Sequence, residues 1–235
     1  MYMIELKIDQ AAWLRFLHRE GLDDEDFGYG LHAWLKAAFG ELAPKPFRLF
    51  LKRPRPLRVL AYSTVDAAAL RDRLTNFADP AVYAACPPEY VDSRKMPQWQ
   101  SGRRLAFEVL CCPVRRRSTT SGVREKDVFL VHADHTPKKN ILDRTSIYRQ
   151  WLEEQFSTAA QIHDLRLEGF QLIRQTRRTQ TKNHQRKRFH PMRPQALLRG
   201  ECVIQEENKF FQLVARGIGR HRAFGYGMLL LRPPR

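Results

Sequence analysis

Apolar and polar residues follow two different periods in the first hundred positions of the chain. Residues 1–8 alternate and are rich in β-forming side chains, which predicts a strand, and residues 10–18 predict a short helical turn. Residues 31–42 repeat their apolar side chains at helical spacing, so they predict a helix with one face on a sheet. That face carries Leu31, Trp34, Leu35, Ala38, Phe39 and Leu42.

The pattern continues with two more strands and a second helix. Residues 47–52 and 57–63 predict strands around a proline-rich turn, and residues 65–77 predict an amphipathic helix. Residues 82–86 predict a last strand, which completes the order β-α-β-β-α-β. The polar residues 92–102 then predict a connection between two domains.

A similar order of elements returns in the rest of the chain. The pattern predicts a strand, a helix, two strands, a helix and a final strand at residues 104–111, 143–157, 165–176, 196–205, 206–216 and 226–231. The repeat concerns the order of elements and not the residues themselves. We therefore predict an α+β chain of two tandem ferredoxin-like (RRM-like) domains, at residues 1–92 and 103–235, with a C-terminal glycine-rich loop.

Charge is distributed very unevenly between these two parts. The chain has 235 residues and a formal net charge of +16, and almost all of this charge lies beyond residue 100. No acidic residue stands between Glu168 and Glu201, and residues 177–190 are predicted to form a long basic hairpin loop. Such a field attracts nucleic-acid phosphates, and a hairpin of this kind can enter or straddle a groove. The alternative is a solvated loop with incidental charge.

Several classes of protein do not fit the sequence. No window approaches the ~18 to 20 apolar residues of a membrane span, and the N-terminal strand lacks the features of a signal peptide, so we expect a cytoplasmic protein. The four cysteines include no C-x-x-C pair, so we expect neither a zinc site nor a disulfide framework. His132 and His135 stand near Asp134, but no third ligand is evident, and we interpret them as part of a polar loop. We expect no metal and no cofactor.

The C-terminal region contains a glycine-rich run that alternates with basic and aromatic residues. Glycines allow backbone N–H groups to approach phosphates closely, and the basic residues can neutralise them. Phe224 and Tyr226 could stack on a base or pack internally. The run is neither a Walker loop nor a dinucleotide fingerprint, since it precedes a predicted strand. Its glycines are Gly217, Gly219, Gly225 and Gly227, and its basic residues include Arg220, His221 and Arg222.

The stretch FGYGLHAWLK brings three polar side chains onto one face of the first domain's helix. Tyr29, His32 and Lys36 stand at i, i+3 and i+7 and could point at one phosphate. A histidine has an unperturbed pKa of about 6.5 and can act as acid or base near neutral pH. The alternative is packing, in which His32 borders the apolar face and Tyr29 fastens the start of the helix to the sheet.

Four segments together resemble the CRISPR repeat-processing endoribonucleases, and within them the CasE family of type I-E Cascade. The run GIGRHRAFGYG resembles that family's glycine-rich loop, and residues 97–117 resemble the start of its second domain. The segment YRQWLEE resembles the Trp-Leu helix that follows, and Tyr29-x-x-His32 is similar to the Tyr and His pair at the active site of some members.

The resemblance implies metal-independent cleavage of a hairpin-bearing CRISPR repeat RNA. In this reaction the ribose 2′-OH attacks the adjacent phosphate and leaves a 2′,3′-cyclic phosphate and a 5′-OH. His32 would be the principal general acid or base, Tyr29 an orienting or relaying partner, and Lys36 a source of positive charge. His221 is a second candidate for proton transfer, with phosphate binding as its alternative role.

The resemblance also implies that the chain stays on the 3′ hairpin of the guide RNA, with Cascade-type backbone subunits as partners. One alternative is a guide-RNA-binding scaffold that does not cut, and another is a general RRM-like protein outside CRISPR immunity. The acidic run 23–26 would oppose RNA unless it complements the N-terminus of the helix. The expected RNA-binding residues are Arg115, Arg116, Arg117, Arg174, Arg177, Arg178, Lys182, Arg186, Lys187, Arg188, Gly217, Gly219, Arg220, His221, Arg222, Gly225 and Gly227.

Overall fold

The computed structural model describes residues 1–22, 26–51, 56–119, 122–136, 142–175, 177–180, 186–189 and 191–234. The chain divides into two compact units. The first unit consists of Met1–Gln98, Arg174–Pro191 and Arg222–Met228, and the second of Trp99–Ile173, Met192–His221 and Leu229–Arg235. That residues 1–92 and 103–235 form two separate domains stays a prediction.

Four antiparallel strands form the sheet of the first unit, in the order β2-β3-β1-β4. They are β1 (Tyr2–Ile8), β2 (Phe47–Phe50), β3 (Leu57–Ser63) and β4 (Val91–Lys95). Alternate residues of β1 point into the core, where Ile4, Leu6 and Ile8 are fully buried. The strands predicted at residues 1–8, 47–52 and 57–63 are thereby confirmed.

Helices of the first unit bury their apolar faces in this core. They are α1 (Gln10–Arg19), α2 (Phe27–Phe39), α3 (Ala67–Phe77) and α4 (Pro80–Ala85). In each of them an aspartate just before the first turn accepts a hydrogen bond from a backbone N–H of that turn. The helix predicted at 31–42 is confirmed and begins earlier, at Phe27, because Asp26 is its cap.

The strand predicted at residues 82–86 is wrong. This segment lies in α4, which begins with Pro80 and has the Asp79 side chain as its cap. Proline suits the first helical position because its missing N–H would have no partner there. The fourth strand, β4, lies instead at Val91–Lys95, inside the region predicted to connect two domains.

The remaining elements follow in chain order. They are β5 (Arg104–Cys111), β6 (Val114–Thr119), β7 (Gly122–Asp127), α5 (Val128–His135), α6 (Arg144–Phe156), β8 (Ala160–Arg174), β9 (Arg177–Gln180), β10 (Arg186–Phe189), β11 (Met192–Ile204), α7 (Glu207–Arg216) and β12 (Leu229–Arg232).

The second unit also contains a four-stranded sheet, in the order β12-β5-β11-β8. Counted along the chain, both sheets have the order fourth, first, third, second. Phe107 of β5 contacts Phe156 of α6, with ring centroids 5.3 Å apart, and Phe210 of α7 is fully buried. The α+β class predicted from the sequence is confirmed.

Two antiparallel strand pairs form separate two-stranded sheets. Strands β9 and β10 pair from Arg186↔Gln180 to Phe189↔Arg177, within the hairpin predicted at residues 177–190, whose residues 181–185 and 190 lie outside the described part of the chain. The pair β6 and β7 was not predicted. The polar loop predicted around His132 and His135 is wrong, because Asp127 accepts a hydrogen bond from the Phe129 N–H and caps α5 there. Within the described residues, no helix is long and apolar enough to cross a membrane.

Candidate active site

The N-terminus of α2 is ordered by an acidic side chain. Asp26 is buried, and its Oδ1 accepts a hydrogen bond of 3.0 Å from the Tyr29 N–H. A carboxylate at this end of a helix also complements the helix dipole. Of the acidic run 23–26, Asp26 thus complements the N-terminus of the helix, as the sequence analysis expected. Residues 23–25 lie outside the described part of the chain.

Tyr29 and His32 lie half-buried on one face of α2, and one aromatic ring touches both. The Phe224 ring stacks on the Tyr29 ring with centroids 5.8 Å apart and an interplanar angle of 24°. It meets the His32 ring edge to face, at 5.3 Å and 83°. Aromatic pairs favour both arrangements. Phe224 therefore packs the Tyr and His pair from the side of the glycine-rich run, a role the sequence did not reveal.

The backbone of Phe224 approaches α2 at a glycine. A Cβ atom placed on Gly28 would lie 2.4 Å from the Phe224 backbone oxygen, so this position admits no side chain. Phe224 ends a short 3-10 turn, Arg222–Phe224, and Gly225 follows with a φ of 85°. A Cβ on Gly225 would lie 3.3 Å from the Phe47 ring. Two glycines thus permit the close approach of this segment to α2 and β2.

The surroundings of His32 disfavour its charged form. Partial burial of the ring lowers the pKa of His32 from its ordinary value, and the positive charges of Lys36 and Lys45 lower it further. The neutral imidazole, which can accept a proton, is therefore populated at lower pH than in an exposed histidine. Lys45 stands between two prolines and was not predicted, because no sequence spacing relates it to α2.

Lys36 is engaged at the far end of the same helix. Its Nζ lies 2.9 Å from Glu41 Oε1 and donates a hydrogen bond of 3.3 Å to the Gly40 backbone oxygen. The Glu41 side chain is 96% exposed, so this ion pair contributes little to stability and can exchange with another anion. That Lys36 supplies positive charge to a bound phosphate stays a prediction.

All four glycines of the C-terminal run adopt conformations that side chains rarely enter. Their φ angles are 77°, 68°, 85° and 79° at Gly217, Gly219, Gly225 and Gly227. Gly217 also ends α7, where its N–H donates to the Leu213 backbone oxygen. These residues are therefore required by the path of the backbone. Their predicted contacts with RNA stay predictions.

In the second unit, Arg220 and His221 of the run and Arg193 converge on a single carboxylate. Glu125 of β7 has a side chain only 6% exposed, and His221 Nε2 lies 2.9 Å from its Oε2. Arg220 Nε lies 2.5 Å from Oε1, and Arg193 Nη2 lies 3.0 Å from Oε2. The hydrogen bond from His221, together with these cations, lowers the pKa of Glu125 to about 2. Glu125 is therefore ionised throughout the neutral range.

This cluster bears on the second catalytic candidate. The His221 ring nitrogen Nε2 is occupied by Glu125, and His221 itself adopts a φ of 60°, which is uncommon for a residue other than glycine. Whether His221 transfers protons or binds phosphate stays a prediction. Sequence reasoning missed Glu125, whose only sequence signal is its place in a strongly basic region.

The other predicted RNA-binding residues are found in several settings. Arg115 donates to both carboxylate oxygens of Glu154 at 2.6 Å, while Arg116 and Arg174 are exposed and Arg222 is half-buried. Lys182 lies outside the described residues, as do the side chains of Arg117, Arg177, Arg178, Arg186, Lys187 and Arg188. For all of these residues RNA contact stays a prediction.

One face of the second sheet is covered by paired charges. Arg104 Nε lies 2.5 Å from Glu201 Oε2, and Arg199 Nη2 lies 2.7 Å from Glu108 Oε2. Opposite charges on neighbouring strands stabilise each other. This face therefore offers a lattice of neutralised charges, where an RRM that binds single-stranded RNA presents aromatic rings.

The described residues contain no group of three or more His, Cys, Asp or Glu side chains placed to hold a metal ion. The four cysteines are buried free thiols, and burial raises the pKa of Cys86, Cys112 and Cys202 to about 12. Thiols of this kind are poor nucleophiles near neutral pH. The assignment of Tyr29 and His32 to proton transfer stays a prediction.

Solved structures with the same fold come from CRISPR systems. The chain superimposes on CRISPR endoribonuclease Cse3 bound to a 19-nucleotide RNA with a TM-score of 0.65 and 17% identity, covering 99% of this chain and 100% of that one. Cas6e from Escherichia coli K-12 gives 0.61 and 19%, covering both chains completely. Thermus thermophilus Cse3, bound to an RNA representing a pre-cleavage complex, gives 0.59 and 18%, covering 99% of this chain and 98% of that one.

Comparisons of sequence give one further finding. A search of curated protein sequences found no match. The family model described as CRISPR associated protein matches residues 1–233, nearly the whole chain. The chain therefore belongs to the CRISPR-associated protein family.

Proposed function

We propose that the protein is an endoribonuclease that cleaves CRISPR precursor RNA within the repeat, at the base of its stem-loop. The observation that carries the proposal is the arrangement of Tyr29 and His32, half-buried on one face of α2 and held by Phe224. A partly exposed histidine whose lowered pKa favours its neutral form, beside a tyrosine, can accept a proton near neutral pH.

The reaction requires a base, an acid and fixed positive charge. Neutral His32 takes the proton of the ribose 2′-OH, whose oxygen forms a new bond to the adjacent phosphorus. The bond from phosphorus to the 5′-oxygen breaks, and that oxygen receives a proton from the His32 imidazolium, directly or through Tyr29, which leaves a 2′,3′-cyclic phosphate and a 5′-OH. Tyr29 orients the phosphate or relays a proton. The positive charges of Lys45 and Lys36 stabilise the negative charge that builds on the phosphate. No step in this scheme uses a metal.

The fold and the charge support the rest of the proposal. We interpret each sheet with its helices as a ferredoxin-like domain, because both sheets have the same strand order. The basic hairpin and the glycine-rich run would hold the stem by its shape and its phosphates. The relatives of known structure include Cse3 bound to RNA and a CRISPR RNA-guided surveillance complex. By analogy, the chain would remain on the 3′ hairpin of the guide RNA within a Cascade-like complex.

Mutation of the pair tests the site. His32→Ala and Tyr29→Phe are assayed with a repeat RNA in EDTA, and His18→Ala, an exposed histidine of α1, is the control. Loss of a general acid or base should reduce the rate ~10² to 10⁴-fold, with binding of a 2′-deoxy repeat unchanged. The 3′ end of the product should carry a cyclic phosphate. Cleavage by His32→Ala at the rate of wild type would refute the site.

A second candidate function is a scaffold that binds the guide RNA without cutting it. The contacts of Tyr29 and His32 with Phe224 favour it, because ring packing alone would account for the pair. The scaffold would retain uncut repeat RNA at high affinity. RNA that copurifies from the native host separates the two functions, since only a nuclease leaves uniform ends within the repeat.

A further inference from the structure

We propose that Phe224 is a positioning residue, which holds the His32 imidazole in a fixed orientation and shields one side of it from water. The inference concerns the same site as the proposed function, and its consequence for cleavage rests on that function. Its consequence for the state of His32 does not, because it can be measured without RNA.

The contacts of the Phe224 ring support a positioning role. The ring meets His32 at 5.3 Å, nearly perpendicular, and stacks on Tyr29 at 5.8 Å. One rigid ring with two contacts restrains both the rotation of the imidazole and its distance from the phenol. Tyr29 and His32 would otherwise be two half-buried side chains, each with several rotamers open to it.

The backbone gives Phe224 a fixed place from which to act. Its carbonyl oxygen lies against Gly28, where no Cβ could fit, and Gly225 beyond it has a φ of 85° and lies close to Phe47. The 3-10 turn Arg222–Phe224 directly precedes Gly225, so few residues separate these two close contacts. The ring is therefore located by backbone packing on both sides of its own residue.

The chemistry of the ring supports the shielding. A phenyl group displaces water from the imidazole, and this loss of solvation disfavours the imidazolium form. Burial is the largest cause of the lowered pKa of His32. The charges that act on His32 are those of Lys36 on α2 and Lys45 before β2. The other titratable groups of α2 and of the turn of Phe224 are Tyr29 and Arg222.

A titration of the full-length protein tests this inference. The His32 imidazole is followed by NMR from pH 5 to pH 9, with its signals identified by their loss in His32→Ala. Phe224→Ala should raise the His32 pKa toward its ordinary value, because water regains access to the imidazole ring. Phe224→Leu, which keeps apolar bulk, should raise it less. Phe77→Ala, a truncation of a phenylalanine that is 65% exposed in the same unit, should leave it unchanged.

Kinetics provide the second measurement. Phe224→Ala should lower kcat for a repeat RNA about 10- to 100-fold with little change in KM, because a misplaced base slows the chemical step more than binding. Circular dichroism shows whether each variant is folded, and Phe224→Leu replaces the alanine variant in both assays if the latter is not.

The outcomes separate this inference from the proposed function. An unchanged or lowered His32 pKa in the folded Phe224 variants overturns the shielding, and an unchanged kcat overturns the positioning. If wild type does not cleave any repeat RNA while the titration shifts as expected, the proposed function fails and the inference stands for the state of His32.

Discussion

A Cβ atom on Gly28 would lie 2.4 Å from the backbone oxygen of Phe224, closer than two such atoms can approach. Gly28 is the second residue of α2, and Tyr29 and His32 follow it on that helix. The absence of a side chain at one position thus allows the glycine-rich segment 222–228 to reach the candidate catalytic pair. A substitution at Gly28 therefore perturbs the site without replacing Tyr29, His32 or Phe224.

Gly28→Ala should push the Phe224 backbone away from α2. The added methyl group meets a carbonyl oxygen that cannot rotate out of its way, so we expect a loss of ~1 to 3 kcal/mol in the free energy of unfolding. We also expect slower cleavage and a His32 pKa closer to its ordinary value. Urea unfolding and the NMR titration of His32 measure these effects.

The control for Gly28→Ala is the same substitution where there is room. A Cβ on Gly169 would have Leu197 Cβ as its nearest neighbour, at 3.9 Å, which is ordinary contact. Gly169→Ala should therefore leave the His32 titration and the rate of cleavage unchanged. Equal behaviour of the two variants would show that the close approach at Gly28 has no bearing on the site.

Lys45→Gln should raise the pKa of His32. The Lys45 charge disfavours the imidazolium form, so its removal makes protonation easier. If His32 is the base, the acid limb of the pH–rate profile should move to higher pH in this variant. Lys209→Gln, which removes an exposed lysine of the second unit, is the matched control. A pKa that falls or does not move in Lys45→Gln would contradict the electrostatic account.

Glu125→Gln should destabilise the protein at neutral pH. Removing the negative charge leaves Arg193, Arg220 and His221 clustered without a counter-ion, and breaking a buried ion pair costs ~3 to 5 kcal/mol. Because Arg220 is partly exposed, we expect about 3 kcal/mol. Urea unfolding at pH 7 measures the difference. Glu206→Gln, at an exposed pair, should change little.

The difference in stability between wild type and Glu125→Gln should also depend on pH. The folded pKa of Glu125, about 2, lies below its unfolded value, so its contribution is present in full above the unfolded pKa and is lost as the pH falls toward 2. The difference in stability between wild type and Glu125→Gln should therefore shrink steadily below pH ~4.3, the ordinary pKa of a glutamate. A difference that is constant from pH 7 to pH 3 would argue against an ionised Glu125.

Glu154→Gln should strengthen RNA binding. Glu154 holds Arg115 through two contacts of 2.6 Å, and its loss would free a guanidinium for a phosphate. If Arg115 gains one phosphate contact, the slope of log K against log salt should steepen by ~0.7 to 0.9. Glu153→Gln removes the neighbouring exposed carboxylate as a control for net charge. Identical slopes for the two variants would show that Arg115 does not contact the RNA.

Much of the fold follows from local pattern in the sequence. The strand at Tyr2–Ile8 and the helices at Ala67–Phe77 and Arg144–Phe156 agree with their predicted limits, because alternation, helical spacing and capping aspartates are all local signals. The error at α4 is also local. Six residues of mixed apolar pattern suit a strand or a short helix equally well, and the Asp79-Pro80 start decides between them.

The candidate site is only half visible in the sequence. Tyr29 and His32 were found because their spacing on a helix is a local property. Phe224, Lys45 and Glu125 were not predicted in their roles, since each acts through a neighbour that is distant along the chain. Periodicity predicts which face of a helix or strand is buried, but it does not predict which residue of another element packs against that face.

Glu125 has a consequence for the protein before it meets RNA. Three side chains of like charge, Arg193, Arg220 and His221 when protonated, surround a position that a phosphate oxygen could equally fill. We expect the carboxylate to act there as an internal mimic of the nucleic-acid backbone. Mutual repulsion would otherwise spread these cations apart in the unbound state. With the mimic in place, the second unit presents the start of its glycine-rich run already ordered, and binding RNA need not bear the entropic cost of ordering it.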